Sequence, residues 1–329
     1  GKLMGDNLAA GGQTLLFLNR RGFAAAMQCY ECGDSVTCGA CSVSMTLHRR
    51  RTELRCHHCG ACRDVPRRCP SCGRDSLIEL GLGTQRIERT AAAMVGGARI
   101  ARLDRDTASR KGASGRILAD WRKGLIDVLI GTQMVAKGHD APGVSLVGVI
   151  HGDMALSVPD FRAAERTFQL LCQAAGRAGR RDRPGRVVLQ TYRPDHFAVK
   201  AAARHDYESF AERESAERLE LGYPPHRRMT LMRFEGPDLK AVSDIAEESE
   251  RALARVCRRY VETERPLVRG PAPAAMERVR GNFRYQIQLR SPTAGPARMA
   301  AAEAREAVAR KAVKAKVRVT VDVDPVNML

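Results

Sequence analysis

Aromatic side chains are scarce in this chain: they make up 5% of its 329 residues, with Trp121 the single tryptophan. The interior must therefore be built from aliphatic residues. Hydrophobic types together reach 44%, enough for real cores in two domains or three. No run of eighteen apolar residues occurs, so no membrane span is expected. The opening Gly1-Lys2-Leu3-Met4 does not read as a signal peptide, and the missing methionine at position 1 points to a piece of something longer. Two further absences are chemical. There is no Gly-x-x-x-x-Gly-Lys-Ser/Thr loop, the only Gly-Lys being Gly1-Lys2, and no Asp-Glu dipeptide anywhere. These are the elements that cradle a triphosphate and hold its Mg²⁺. Negative charge is also in deficit: 37 Asp and Glu stand against 55 Lys and Arg, a net +18 with a pI near 9.9. Such a balance suits a phosphate-bearing partner, although a solvated basic surface accounts for it equally well.

Cysteine, by contrast, is plentiful and patterned. Nine of the eleven lie between Cys29 and Cys72, and eight form four Cys-x-x-Cys pairs: Cys29/Cys32, Cys38/Cys41, Cys56/Cys59 and Cys69/Cys72. A short knuckle turn brings the two sulfurs of each pair to one side, and Zn²⁺ takes four such ligands in a tetrahedron. Eight sulfurs read as two closed, structural Cys₄ sites. Without a secretion signal, metal binding is the better account than disulfides. Spacing alone leaves sequential, nested and crossed pairings open. Cys62 makes a further Cys-x-x-Cys with Cys59, and His48, His57 and His58 lie near enough to replace a sulfur, but eight paired cysteines already saturate two ions. From Cys29 to Arg74 the segment has eight Arg against four acidic residues and few large apolar side chains. Zinc must supply most of its folding energy. Its arginines favour a projecting knob that meets DNA or a partner over an inert scaffold.

On either side the chain alternates strand and helix signals. Thr14–Leu18 reads as a buried strand, 84–95 as a helix, Ala98–Leu103 as a strand, Gly112–Lys123 as a helix and Asp127–Ile130 as a strand. Val144–Ile150 and Arg186–Thr191 are further strands flanking a helix over Asp160–Ala174. The alternation predicts a parallel α/β sheet, with the metal segment inserted after its first strand. Helical signal over 196–220 ends at Gly222-Tyr223-Pro224-Pro225. Beyond it, strands over Met229–Phe234, Tyr285–Arg290 and Val317–Val323 and helices over Leu239–Arg259 and Ala297–Lys314 suggest a smaller α+β domain.

Two stretches carry chemistry. Gly131-Thr132-Gln133-Met134-Val135-Ala136-Lys137-Gly138-His139-Asp140 follows a predicted strand, where ligands sit in open α/β sheets, and Thr132 and Gln133 offer hydrogen bonds to a phosphate. Gln173-Ala174-Ala175-Gly176-Arg177-Ala178-Gly179-Arg180 closes a predicted helix, with Arg177 and Arg180 on one face. An arginine's planar fork neutralises charge on a transferring phosphoryl group. A helix end with Arg complementing the dipole would look similar taken alone.

Gln-x-x-Gly-Arg-Ala-Gly-Arg resembles the last motif of superfamily-two helicases, and Gly-Thr-Gln-Met-x-x-Lys-Gly-His-Asp the motif before it. Leu18-Asn19-Arg20-Arg21-Gly22-Phe23, Asp104-Arg105-Asp106-Thr107, the run Pro159–Arg166, the eight-cysteine insertion and the terminal Asp322–Leu329 sharpen the match. Together they resemble the primosomal protein N′ family of replication-restart helicases over nearly the whole chain. The resemblance implies a RecA-like second helicase lobe over 1–28 and 73–220, a two-zinc insertion over 29–72 and a C-terminal α+β domain over 221–329. It implies nested zinc sites, one of Cys29, Cys32, Cys69 and Cys72, the other of Cys38, Cys41, Cys56 and Cys59, with Cys62 spare. Arg177 and Arg180 would reach the ATP γ-phosphate and Gln173 would sense nucleotide, while Gly131, Thr132, Gln133 and Lys137 would couple ATP to DNA grip. The implied activity is ATP- and Mg²⁺-dependent 3′→5′ unwinding of stalled forks in the bacterial cytoplasm. The implied partners are forked and single-stranded DNA, primosome proteins and single-stranded DNA-binding protein. Lacking the P-loop and Asp-Glu boxes of a first lobe, this chain alone is expected not to turn over ATP. A free-standing zinc-bearing module that binds DNA or primosome proteins is the competing reading. A zinc-ribbon translation or transcription factor would leave the Gly-Arg-Ala-Gly-Arg and Gly-Thr-Gln-Met stretches unexplained.

Overall fold

The computed structural model of the chain describes residues 1–18, 26–41, 43–48, 53–79, 84–104, 107, 112–132, 143–179 and 184–328. The chain opens with α1 (Lys2–Ala9) and β1 (Gln13–Leu18), and the cysteine segment contributes β2 (Met27–Cys29), β3 (Thr46–His48), β4 (Glu53–Arg55), β5 (Cys62–Asp64) and β6 (Leu77–Glu79). There follow α2 (Thr84–Met94), β7 (Ile100–Leu103), α3 (Ala113–Arg122), β8 (Val128–Gly131), β9 (Val144–Ile150), α4 (Ala163–Ala175), β10 (Arg186–Leu189), α5 (Phe197–Arg204) and α6 (Tyr207–Leu221). The last unit is β11 (Arg228–Gly236), α7 (Leu239–Cys257), β12 (Leu267–Val279), β13 (Asn282–Ser291), α8 (Ala294–Lys314) and β14 (Arg318–Val323).

The first sheet is parallel throughout, in the order β10-β9-β1-β8-β7. Its central strand, β1, is buried at all six positions, as a strand covered on both faces must be. Leu15 and Phe17 point into a core with Leu118, Trp121 and Phe168, while Leu16 and Leu18 point the other way, onto Met4, Ile87, Ala91 and Val95. The buried Gln13 amide donates to the carbonyls of Trp121 and Ile126 at 2.8 and 2.7 Å, which ties the start of β1 to the turn after α3. The lone tryptophan thus belongs to the core. Helix α4 begins at Ala163 rather than at Asp160: the Asp160 side chain turns inward and accepts from the Arg162 amide at 2.9 Å, so 160–162 form a turn.

The second sheet is antiparallel, β12-β13-β11-β14, with α7 and α8 against one face. The connectivity βαββαβ is that of the ferredoxin-like fold. Met232, Phe234, Leu253, Ile287 and Leu289 form its interior, and α8 contributes a small-residue stripe of Ala297, Ala300, Ala301 and Ala304 that brings the helix close to the sheet. Strand β12 went unread in the sequence because Gly270, Pro271 and Pro273 interrupt its alternation, and its pairing with β13 shifts register over that stretch.

Candidate metal centres and nucleotide-facing motifs

Strands β2 and β6 pair antiparallel, with Cys29 opposite Leu77, and so close the cysteine segment at its base. That closure brings the first and last Cys-x-x-Cys pairs together although they lie forty residues apart. Three of the knuckles share one backbone design. The amides of Gly33, Gly60 and Gly73 donate to the carbonyls of Cys29, Cys56 and Cys69, each at 2.9 Å, and the three glycines take φ of +77, +80 and +74°. Only glycine enters that region without strain, so each knuckle needs one.

The sulfurs form two groups, Cys29, Cys32, Cys69 and Cys72, and Cys38, Cys41, Cys56 and Cys59, with the ligand atoms of each group within 4.8 Å of one another. Cys29–Cys72 is 3.7 Å, Cys32–Cys69 3.6 Å and Cys38–Cys59 3.7 Å. A tetrahedron of sulfurs about 2.3 Å from Zn²⁺ has an edge of about 3.8 Å, so the spacing fits the ion. The electrostatics fit as well. Cys56 is drawn down to about 4, chiefly by the hydrogen bond from Cys41, against its own burial, with help from the Cys59 and His58 amides. Cys41 is pushed up in return by that same shared proton and by burial. In the outer group, burial pushes Cys32 up to about 12. Burial opposes ionisation of Cys69 too, but the amides of Cys72 and Ser71 bring it down to about 7. Four thiols this close do not ionise together on their own; a dication stabilises all four thiolates at once. Cys62 belongs to neither group: it is exposed on β5 and donates to the Gly60 carbonyl at 3.4 Å.

The three histidines lie outside both sulfur groups and join the cysteine segment to its neighbours. His57 donates from Nδ1 to the Pro273 carbonyl at 2.7 Å, and the Gln286 amide donates to the His57 carbonyl at 2.6 Å. Burial lowers His57 to about 4, so it is neutral. His58, held neutral by burial, donates from Nε2 to the Pro159 carbonyl and accepts at Nδ1 from the Tyr223 hydroxyl, each at 3.2 Å. His48 lies 3.4 Å from Glu277. Sequence reasoning missed this bracing, and missed Tyr223, which stacks on Phe161 at 5.0 Å and lies under the Arg290 guanidinium at 4.5 Å. The available signal was two adjacent histidines in a segment already saturated with thiolates.

Of the predicted nucleotide-facing residues, Gln133, Lys137 and Arg180 lie outside the described residues, as do Asn19–Phe23, Arg105 and Asp106. Gly131 ends β8, level with Phe17 of β1 and Leu103 of β7, and Thr132 follows it, half-buried. Asp104 closes a tight turn, its carboxylate accepting from the Thr107 amide at 3.0 Å while the Thr107 hydroxyl meets the Asp104 amide at 2.9 Å. Gln173 is exposed near the end of α4. Arg177 is half-buried in the following turn, and its Nε is buried with no hydrogen-bond partner among the described residues. The Gly179 amide anchors that turn to the Val144 carbonyl at 3.1 Å. Gly179 has φ +74°, and a Cβ there would meet the Gly185 amide nitrogen at 2.4 Å, so this crossing admits only glycine.

The described ends of the two motifs lie apart, Gly131 at one end of the strands and Gly179 at the other. Phe17 is the register partner of both Gly131 and Val149, whereas Gly179 is bonded to Val144, five residues nearer the start of β9. At ~3.3 Å per residue they lie roughly 17 Å apart along the strands, at opposite edges of the sheet.

Three family profiles match in succession: the PriA DNA helicase Cys-rich region over 38–63, the helicase conserved C-terminal domain over 81–182, and the primosomal protein N C-terminal domain over 219–326. The replication restart protein PriA of Bacillus subtilis is 37% identical over 98% of this chain and 40% of its own length. Its counterpart from Haemophilus influenzae is 40% identical over 99% of this chain and 44% of its own. The chain belongs to the PriA family.

It spans about two-fifths of the length of these PriA relatives. The Cys-rich match encloses only the inner sulfur group, and the helicase match starts after the insertion. Structure supplies what those limits omit: Cys29, Cys32, Cys69 and Cys72 complete the cysteine segment, and β1 completes the parallel sheet from the far side of it. The C-terminal domain of the DEAD-box protein Dbp5 superposes on 63% of this chain at a TM-score of 0.31 and 14% identity, too loosely to bear on the fold. No helix among the described residues is long and apolar enough to cross a membrane.

Proposed function

We propose that this chain is the C-terminal part of a bacterial replication-restart helicase, one that uses ATP and Mg²⁺ to unwind forked DNA 3′→5′ and to promote primosome assembly. The observation that carries the proposal is architectural. A pair of nested Cys₄ groups is inserted after the central strand of a parallel sheet, and the opposite edge of that sheet carries a glycine-bracketed arginine turn. In this reading 1–28 and 73–220 form the second motor lobe, 29–72 the two-zinc insertion and 221–329 the C-terminal domain. One Zn²⁺ takes Cys29, Cys32, Cys69 and Cys72, the other Cys38, Cys41, Cys56 and Cys59. Zinc here holds the segment's fold and performs no chemistry.

ATP turnover belongs to the intact protein, since the P-loop and Mg²⁺-binding carboxylates are not in this sequence. Arg177 and Arg180 would neutralise charge on the γ-phosphate, and Gln173 would report its presence. Gly131 and Thr132, on the other edge, with Gln133 and Lys137, would couple the ATP state to the grip on DNA. The net +18 suits that grip and single-stranded DNA beside it. Primosome proteins and single-stranded DNA-binding protein are the proposed protein partners, in the bacterial cytoplasm.

The test is DNA-stimulated ATP hydrolysis by the intact protein. Arg177→Ala or Arg180→Ala is expected to lower turnover ~10³-fold while DNA affinity, measured at fixed salt, stays near that of the unsubstituted protein. Near-normal turnover in both variants would remove the arginines from the nucleotide site. An intact protein with no turnover at all would leave a zinc-bearing DNA- or primosome-binding module as the better account.

A further inference from the structure

One buried carboxylate joins the parallel-sheet unit to the end of the C-terminal domain, and its chain neighbours reach the cysteine segment. The Asp160 side chain is fully enclosed. Its Oδ1 accepts from the Arg162 amide, and its Oδ2 accepts from Arg166 Nη1 at 2.7 Å and from the amide of Met328, near the chain's last residue, at 3.2 Å. Arg166 also donates to the Val326 carbonyl at 2.9 Å, and Arg162 donates to the carbonyls of Pro325 and Val326. The segment 325–328 is therefore held by its backbone, with carbonyls on two guanidinium groups and an amide on a carboxylate. Met328 is then buried against Tyr223, Met229 and Leu231. Phe161, the next residue along, stacks on Tyr223, whose hydroxyl lies 3.3 Å from the Cys41 carbonyl of the cysteine segment.

The helix that starts at this contact is α4, which runs from the carboxyl edge of the parallel sheet to its amino edge and ends at the Arg177 turn. Its thirteen residues rise ~20 Å. Thr167, Phe168, Leu170, Leu171 and Ala174 are buried along it, so it moves as a rod with the sheet. The latch lies outside the apolar core beneath the helix, and a cavity of about 230 Å³, lined by Ser35, Thr37, Asp160 and Tyr223 among others, borders it. There is room for the contact to shift without breaking the core.

We infer that Asp160, Arg162 and Arg166, clasping residues 325–328, are positioning residues that couple the Arg177 turn to the C-terminal domain and the cysteine segment. When the arginine turn moves with nucleotide, α4 carries the displacement to its other end, and the latch makes the C-terminal domain and the cysteine segment follow. Hydrolysis itself does not need the latch; converting it into strand separation does. This inference rests on the motor reading above.

The experiment compares ATP hydrolysed with base pairs unwound, in the intact protein, for Asp160→Asn and Arg162→Ala. Arg162→Ala removes that residue's contacts to the Pro325 and Val326 carbonyls and leaves the Asp160–Arg166 pair and the Arg166–Val326 bond in place, so it decides the matter if Asp160→Asn fails to fold. Expected are DNA-stimulated turnover within about twofold of the unsubstituted protein and base pairs per ATP down about tenfold, inside the usual range of inter-site coupling. Arg162→Lys should recover part of the loss. Unchanged base pairs per ATP would overturn the inference, as would turnover and unwinding falling in parallel, the mark of a merely structural contact. Absence of turnover in the unsubstituted protein would instead overturn the motor reading on which it stands.

Discussion

The cysteine segment and the C-terminal domain each hold an antiparallel sheet, β3-β4-β5 in one and β12-β13-β11-β14 in the other, yet their interiors are made of different material. Among the described residues of the segment, Leu54 is the one large apolar side chain that is fully enclosed, and it packs with Cys38, Cys41 and Cys56. The C-terminal domain encloses Met232, Phe234, Leu253 and Ile287 and lines two helices with alanine and valine. One unit is held by a few strong bonds to ions, the other by many weak apolar contacts. The first should fail all at once when its ligands are removed, and the second should weaken by degrees.

Metal removal is the sharpest way to break that comparison, and the largest effect. Structural Zn²⁺ binding amounts to ~10–16 kcal/mol in small zinc domains, far more than a core as small as this supplies. Cys38→Ser should therefore halve the zinc content, from two ions per chain to one, and abolish hydrogen-exchange protection between 36 and 59, while α7 and α8 stay protected. Persisting protection in 36–59 with one ion lost would show that the segment has a sufficient core of its own.

The converse experiment is Leu253→Ala in the C-terminal domain. Leu253 is 0% exposed, and truncating it should cost ~2–5 kcal/mol in that domain's unfolding without changing zinc content. Loss of zinc in this variant would mean that the His57, His58 and Tyr223 contacts make the two units one cooperative body.

A smaller effect is expected in the parallel-sheet unit, which depends on neither device alone. His196 caps α5, its Nδ1 accepting from the Ala198 amide at 3.2 Å, which requires a neutral ring. Burial, and then Arg193 and Arg213, lower it from 6.5 to about 4. Between those values the unfolded chain takes up a proton that the folded one does not. Stability contributed by neutral His196 is thus complete above about 6.5 and falls as pH drops toward 4. Urea unfolding of this unit should show that slope, and His196→Asn, which keeps a capping acceptor without titrating, should flatten it. An unchanged slope in the variant would assign the pH dependence to other groups.

Much of the fold was legible because its signals are local. The apolar run Thr14–Leu18 announced a strand buried on both faces, and Leu239–Arg259 announced α7, which ends at Cys257. The knuckle spacing announced tetrathiolate sites. What went unread had a broken or silent local signal. Strand β12 is interrupted by glycine and proline. Helix α4 starts three residues late because Asp160, which looked like a helix opener, turns inward to partners 166 and 328. For the site, the arginine turn and the Gly131-Thr132 stretch were both visible in the sequence, but not their separation. That depends on which strand end each one reaches, and so on the direction of every element between them.

By itself the sequence determined the number and kind of metal sites, the alternation of strand and helix in the first unit and the residues available for phosphate chemistry. Ligand spacing and hydrophobic period act over a few residues and need no partner from elsewhere. Only the tertiary structure decided why the sulfurs group as a nested pair, through the zipping of β2 to β6. It also set His57 and His58 as braces outside both sulfur groups, and placed Gly131 and Gly179 at opposite ends of the parallel strands. The latch at Asp160 belongs there too: its partners lie up to 168 residues away, and one carboxylate chooses among many guanidinium and amide groups only when packing has excluded the rest.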